Sequence, residues 1–198
     1  MSYGRVVWDF DGVLADSRAE SWRAASELLA LLGIEVEISS QETFRRYFTR
    51  GGVLPDQDRE VLRSMHGLVM QRRANLLETF PCLSLVARLN VPSEIVTSGS
   101  AAIARTVLGG RAGLFVNIRG RESGAKGDLF RTLARDAVCI TDTVVDVARC
   151  RDLSLGVVAV GWGYDTSGAL RSSRPDFLVE STAELEVVLG QLELLSGA

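Results

Sequence analysis

The stretch VVWDFDG, residues 6–12, joins a short apolar run to two carboxylates and a glycine. The apolar residues at 6–8 predict a buried strand, so both aspartates fall where that strand ends and a loop begins. Side chains alternate along a strand, so Asp9 and Asp11 project to one side and Phe10 to the other. Ligands of open parallel sheets bind beyond the carboxyl ends of the strands. The two aspartates therefore mark a candidate site.

The paired carboxylates suit a reaction at phosphorus. One can attack phosphorus and become an aspartyl phosphate, while the other gives a proton to the leaving oxygen and later takes one from water. Two like charges this close repel each other, and a hard divalent cation such as Mg²⁺, bound through oxygen, relieves that repulsion. An Asp-x-Asp-Gly fragment alone also fits an acidic turn that closes a strand, so the rest of the chain must decide.

Composition narrows the class of protein. The 198 residues suit one domain with a smaller insertion, and 46% hydrophobic residues suffice for a core. A net charge of −3, without a basic tail, argues against nucleic acid or an anionic membrane surface as partner. No signal-peptide pattern or membrane-spanning run is found. We expect a cytoplasmic protein, monomer or homodimer, that acts on a small molecule. The three cysteines are odd in number and lack metal-type spacing, which predicts buried free thiols.

The order of predicted elements gives the architecture. Apolar periodicity predicts helices over 17–32, 41–48 and 56–79, with no strand between them. Strands then alternate with helices, which predicts a parallel sheet with helices on both faces. The predicted later strands are 94–97, 114–118, 137–141, 155–160 and 177–179, and the predicted later helices are 81–89, 101–108, 125–135, 144–150 and 182–195. The fold class is α/β, with a Rossmann-like core at 1–16 and 81–198. An inserted all-helical cap, 17–80, could cover the carboxyl ends of the strands.

Two further segments carry groups that suit a phosphoryl group. Thr97 and Ser98 end a predicted strand just before a helix, where hydroxyls and backbone N–H groups bind oxyanions, although an ordinary helix cap explains them as well. Lys126 is the chain's single lysine beside 21 arginines. A compact ammonium fits between a carboxylate and a phosphoryl group better than a planar guanidinium does. Retention of a surface lysine by chance is the alternative.

A second pair of aspartates follows another predicted strand. Asp142 stands at the strand end and Asp146 one helical turn later, so both can face the same cleft. Each offers hard oxygen atoms to Mg²⁺. Helix capping would account for Asp142 but not for Asp146.

The order of these motifs resembles the haloacid dehalogenase-like superfamily of phosphohydrolases, and the resemblance spans nearly the whole chain. It implies that Asp9 is the nucleophile and that Asp11 is the general acid/base, which also gives its backbone carbonyl to Mg²⁺. Both aspartates would thus contribute to the metal site. The helical insertion after the first motif is similar to that of the phosphoglycolate phosphatase and β-phosphoglucomutase branch, and Gly161-Trp162-Gly163-Tyr164 resembles that branch near its last strands.

The resemblance also assigns roles to the later motifs. It implies that Thr97 and Lys126, with Ser98 beside them, hold the phosphoryl group. Asp142 would bind the metal, and Asp146 would support it directly or through water. The expected activity is a Mg²⁺-dependent phosphatase acting on a small phosphorylated metabolite through an aspartyl phosphate. The acid at position 11 favours phosphoryl transfer over dehalogenation, because a halide leaves without a proton.

Two departures from the family pattern leave other functions open. Thr141 stands where relatives have Gly before the metal-binding acid, and Gly127 follows Lys126 where proline is common. The first could crowd the metal loop. The alternatives are a phosphomutase, which returns the phosphoryl group to its product, and a catalytically weak binding or regulatory protein that keeps the fold.

The cap should select the substrate. Arg50 adjoins Gly51-Gly52, which would let a loop enter the cleft, so we predict that Arg50 contacts an anionic group of the substrate. A solvated helix face with an apolar underside explains the same segment.

Overall fold

The computed structural model describes residues 3–49 and 51–196. The chain divides into two compact units, Met1–Asp16 with Glu78–Ala198, and Ser17–Leu77. The predicted cap extended to residue 80. In the structure the short strand β2 (Ala15–Asp16) pairs antiparallel with β3 (Glu78–Thr79), at the points where the chain leaves the first unit and returns to it.

The first unit is built on a parallel sheet with β1 (Arg5–Trp8) at its centre. The remaining strands are β4 (Ser93–Val96), β5 (Asn117–Arg119), β6 (Ala137–Thr141), β7 (Gly156–Val160) and β8 (Phe177–Val179). They are ordered β5-β4-β1-β6-β7-β8, and every pairing is parallel. This confirms the predicted α/β parallel sheet. Trp8 lies opposite both Ile95 and Ile140, so the carboxyl ends of β1, β4 and β6 reach the same edge.

Alternating side chains bury both faces of this sheet. Val6 and Trp8 belong to one apolar cluster, and Val7 belongs to the cluster on the other face. The helices of this unit are α4 (Leu83–Val86), α5 (Ala101–Leu108), α6 (Lys126–Arg131), α7 (Val144–Asp152), α8 (Ser167–Ser172) and α9 (Thr182–Gln191). The three cysteines are free and buried, as predicted.

Several predicted boundaries were wrong. Strand β5 begins at Asn117 rather than residue 114, because the glycine-rich segment Gly109–Leu114 winds into a 3₁₀ helix. Helix α3 (Asp56–Arg72) ends before residue 79, because a 3₁₀ turn and β3 follow it. Helix α6 ends at Arg131 rather than residue 135. Helix α8 was not predicted.

The second unit is helical. Helix α1 (Arg18–Leu31), α2 (Gln41–Phe48) and α3 enclose an apolar cluster that includes Leu29, Phe48 and Leu62. His66 packs edge-on against Phe48 and lies 3.0 Å from the carbonyl of Ser21, so it joins α3 to the other helices. None of the helices within 3–49 and 51–196 is long and apolar enough to cross a membrane.

Candidate active site

The first aspartate is fixed at the end of the central strand. The backbone N–H of Asp9 donates to the carbonyl of Ile140 on β6, and Asp9 Oδ1 accepts from the N–H of Phe10 at 2.8 Å. Gly12 has a φ of +77°, a conformation that glycine adopts without strain. The chain therefore turns away directly after the second aspartate. Asp11 is half-buried, and its Oδ2 accepts from the hydroxyl of Thr97 at 3.2 Å.

Lys126 joins the two predicted aspartate pairs. It begins α6 and is only 6% exposed. Its Nζ lies 2.5 Å from Asp9 Oδ2 and 2.6 Å from Asp146 Oδ2. Burial alone would lower the pKa of this ammonium, but the charges of Asp146 and Asp9 outweigh burial and raise it. Lys126 is therefore a permanent cation between two carboxylates.

Burial also changes the acidity of the aspartates. Desolvation raises the pKa of Asp9 to about 7, although Lys126 opposes the shift. Desolvation and the charge of Asp9 raise the pKa of Asp142 well above its usual range. For Asp146 the attraction of Lys126 and Arg149 overcomes burial and lowers the pKa. Burial therefore favours the protonated forms of Asp9 and Asp142, while Asp146 stays ionised beside Lys126.

The two carboxylate oxygens of Asp142 differ in their hydrogen bonding. Its Oδ2 accepts from the N–H of Tyr164 at 2.7 Å. The backbone leaves no room around it, because a Cβ added to Gly12 or to Gly163 would lie 2.1 Å from that oxygen. Oδ1 is buried, and no hydrogen-bond partner reaches it from the described residues.

These features test whether the predicted metal fits. A buried, partnerless carboxylate oxygen near the charge of Asp9 is an environment that a hard cation would stabilise. Residues 3–49 and 51–196 contain no group of three Asp, Glu, His or Cys side chains arranged around a metal position. Mg²⁺ commonly keeps several water ligands and takes only one or two carboxylates. Asp9 and Asp142, with water completing the shell, are therefore a donor set that fits Mg²⁺.

The predicted phosphate-binding segment is ordered by its own hydrogen bonds. Thr97 is buried, and its Oγ1 accepts from the N–H of Gly99 at 2.9 Å. Ser98 is exposed beside it. The first N–H of α5, on Ala101, donates to Glu122 Oε1 at 2.8 Å. A side chain therefore already caps this helix, and an anion here would rely on Thr97 and Ser98.

Asp146 is enclosed by cations. Its second oxygen, Oδ1, accepts from Arg149 Nη1 at 2.8 Å. Arg149 also lies across Gly127, where an added Cβ would be 3.6 Å from Nε. This arrangement favours a role for Asp146 in holding Lys126, and its predicted support of a metal stays a prediction.

Sequence reasoning missed several residues that order the site. Asp165 is buried, and its Oδ2 accepts from the N–H of Val144 at the start of α7. Arg149, which donates to Asp146, and Glu122, which accepts from Ala101, were missed as well. Neither contact follows from the local sequence. Arg50, the predicted substrate contact, lies outside the described residues.

The sequence matches no protein-family model, and no curated protein matches it. Solved structures do match. A predicted phosphatase from Clostridium acetobutylicum superposes with a TM-score of 0.82 at 19% identity, over 96% of this chain and 100% of that one. A haloacid dehalogenase-like family hydrolase from Streptococcus pneumoniae gives a TM-score of 0.75 at 20% identity, over 94% of this chain and 98% of that one. This chain has the haloacid dehalogenase-like fold. The predicted resemblance is thus confirmed at the level of the fold.

The same fold extends to the predicted branch. A predicted phosphoglycolate phosphatase from Haemophilus somnus gives a TM-score of 0.75 at 15% identity, over 95% of this chain and 98% of that one. All three matches cover both units of the chain, so the helical insertion is part of the shared architecture.

Proposed function

We propose that this protein is a Mg²⁺-dependent phosphatase that hydrolyses a small phosphate monoester through an aspartyl phosphate on Asp9. The observation that carries the proposal is the buried contact of Lys126 with Asp9 and Asp146, next to the bare oxygen of Asp142. A surface acidic turn would bury neither the ammonium nor three carboxylates.

Asp9 is the group that attacks. Lys126 favours its ionised form and opposes the effect of burial, so a nucleophilic carboxylate is available near neutral pH. Attack on phosphorus by an Asp9 oxygen forms the P–O bond of the aspartyl phosphate, and the bond to the ester oxygen breaks. Lys126 Nζ, already 2.5 Å from Asp9 Oδ2, can bind an oxygen of the phosphoryl group as it arrives.

Asp11 is the proposed general acid and base. The hydroxyl of Thr97 holds one of its oxygens at 3.2 Å, so the carboxyl is oriented before a substrate binds. Protonated Asp11 gives its proton to the leaving ester oxygen, and the resulting carboxylate then removes a proton from water. That water attacks the aspartyl phosphate at phosphorus, which releases inorganic phosphate and restores Asp9.

Mg²⁺ would be held by Asp9, by the backbone carbonyl of Asp11 and by Asp142, with Asp146 supporting the site. When bound, it supplies positive charge that neutralises the carboxylates and the phosphoryl oxygens. Tyr164 N–H, Gly12 and Gly163 confine Oδ2 of Asp142, so Oδ1 is the oxygen that would be offered to the ion.

The proposed substrate is a small anionic metabolite. The Haemophilus somnus neighbour is named as a predicted phosphoglycolate phosphatase, which supports testing phosphoglycolate first. Arg50 is the proposed contact for a second anionic group.

The test is release of inorganic phosphate from a panel of phosphate monoesters, with Mg²⁺ and with excess EDTA. Wild type, Asp9→Asn and Asp128→Asn should be compared. Asp128 is an exposed carboxylate in α6 that pairs with Arg131, so it is a matched control. We expect Mg²⁺-dependent release that Asp9→Asn abolishes and Asp128→Asn retains.

Two results would overturn this proposal. Folded wild type that releases no phosphate from any ester would contradict a phosphatase, and conversion of one ester into an isomer would favour the mutase instead. Release that is equal in wild type and Asp9→Asn would contradict the role of Asp9.

A further inference from the structure

Helix α3 of the second unit carries an exposed apolar stripe that the proposed function does not use. Val61, Met65 and Leu68 are 54%, 38% and 61% exposed. Their spacing of four and then three residues puts them on one face of the helix. Leu62, on another face of α3, is buried in the apolar cluster of this unit. The stripe is therefore separate from the core.

Opposite charges stand at the two ends of the stripe. Asp58 and Arg72 are exposed, and both continue the same spacing along α3. Each lies one heptad from Met65, Asp58 before it and Arg72 after it. From its N-terminal to its C-terminal end, this face of α3 thus carries one acidic residue, three apolar residues with Met65 in the middle, and one basic residue.

This order is complementary to itself in the antiparallel direction. With Met65 of one copy against Met65 of another, Asp58 lies opposite Arg72 and Val61 opposite Leu68, and each pairing occurs twice. A two-fold symmetric interface needs a surface of this kind, which fits its own copy. A parallel alignment would instead put Asp58 against Asp58 and Arg72 against Arg72.

The flank of the stripe is also suited to a contact. Gln57, Ser64 and Gln71 lie beside it at heptad spacing, are exposed and carry no charge. Charged residues are depleted from the centres of protein interfaces, whereas solvated helix faces are rich in them. Val53 before α3 and Leu76 after it are 52% and 65% exposed, at nearly equal sequence distances from Met65.

We propose that two copies of this chain associate through an antiparallel contact between their α3 helices, centred on Met65. The contact is about one helix wide, less than an obligate interface buries, so the dimer should form and dissociate with concentration. Nothing in this inference depends on the proposed phosphatase activity.

The first experiment measures molar mass by sedimentation equilibrium, from micromolar to millimolar protein. Wild type should shift from monomer to dimer as concentration rises. Met65→Lys should stay monomeric, because it sets two ammonium groups against each other at the centre. Leu31→Lys is the matched control: Leu31 is 76% exposed at the end of α1, outside the stripe, and its variant should dimerise as wild type does.

Charge reversal tests the antiparallel alignment. Asp58→Lys or Arg72→Glu alone should weaken dimerisation roughly tenfold, because each sets like charges in opposition twice. The double variant Asp58→Lys/Arg72→Glu should restore wild-type dimerisation. Wild type that stays monomeric at every concentration would overturn the proposal and leave the stripe to a different partner. A dimer that survives Met65→Lys, or single reversals that the double variant does not rescue, would overturn it as well.

Discussion

Each unit of the molecule holds a buried cation, and the two cations differ in the groups that they contact. Lys126 of the first unit is 6% exposed and contacts Asp9 and Asp146, which are also buried. Arg59 of the second unit is 4% exposed, but it donates to the backbone carbonyl of Leu54 and pairs with Asp56, an exposed neighbour on the same helix.

This difference distinguishes the candidate active site from a structural contact. Arg59 satisfies a loop carbonyl and a local carboxylate, so its environment holds no surplus charge. Around Lys126, three carboxylates with shifted pKa values share one ammonium and one half-exposed guanidinium. Such a cluster of buried groups with shifted pKa values is typical of a functional site. A single buried charge with satisfied partners, such as Arg59, does not indicate one.

The largest expected effect comes from removing the cation of the first unit. Lys126→Met should lower kcat/KM roughly 10³-fold, because the phosphoryl group loses its bound charge. It should also cost about 3–5 kcal/mol of unfolding free energy, because buried carboxylates lose their partner. Arg131→Met, in the exposed pair on the same helix, should change neither beyond experimental scatter. A Lys126→Met enzyme with wild-type activity would remove the distinction between the two cations.

The raised pKa values of two buried aspartates should make stability depend on pH. Asp9 has a pKa of about 7 in the folded protein and 3.8 when unperturbed, so the folded state keeps a proton that the unfolded chain releases. The free energy of unfolding in EDTA should therefore fall as the pH rises from about 4 to about 7, and the raised pKa of Asp142 acts in the same direction. Thermal unfolding in EDTA across this range measures the effect.

Added Mg²⁺ and the substitution Asp9→Asn should each reduce the loss of stability with rising pH. Added Mg²⁺ should raise the Tm more at pH 8 than at pH 5, because protons compete for the same carboxylates. Asp9→Asn should flatten the decline in EDTA. An identical decline in wild type and Asp9→Asn would show that Asp9 is not its source.

A smaller effect should follow removal of the half-exposed cation. Arg149→Ala leaves Asp146 Oδ1 without its partner, and Asp146 then draws Lys126 away from Asp9. We expect KM for a phosphate ester to rise about tenfold or less, with Arg149→Lys recovering part of the loss. The matched control is Arg151→Ala, an exposed arginine in the same last turn of α7 that donates to the carbonyl of Arg174 instead. An unchanged KM would assign Arg149 to packing against Gly127.

The smallest effect on activity should come from the buried cation of the second unit. Arg59→Ala should cost about 1–3 kcal/mol of unfolding free energy, since the carbonyl of Leu54 loses a donor. Its kcat with a small aryl phosphate should stay within about twofold of wild type. Urea unfolding and steady-state kinetics measure both. A large fall in kcat with an intact fold would make Arg59 part of the reaction.

The fold and the central site were largely predictable from sequence because their signals are local. A strand that ends in Asp9-Phe10-Asp11-Gly12 fixes both the direction of the carboxylates and their edge of the sheet. The register of β1 with β4 and β6 then brings Asp11 to Thr97. Lys126 could be singled out because it is the chain's one lysine, although nothing local shows that it contacts two aspartates.

The parts that were missed depend on contacts between distant residues. Asp165 accepts a hydrogen bond from the N–H of Val144 at the start of α7, and no sequence pattern near position 165 predicts that bond. Helix α3 was predicted too long because its apolar periodicity continues, while the pairing of Glu78–Thr79 with Ala15–Asp16 imposes a strand. In both cases tertiary contacts decide what local propensity leaves open.

The most direct test of the central claim is to find the phosphoryl group on Asp9. The protein is mixed with Mg²⁺ and the best ester of the panel, quenched in acid within one turnover, and digested with pepsin for mass spectrometry. A phosphoryl group on the peptide that contains Asp9, absent in EDTA and in Asp9→Asn, is the predicted result. Hydrolysis within that turnover with the phosphoryl group on another residue, or on none, would contradict it.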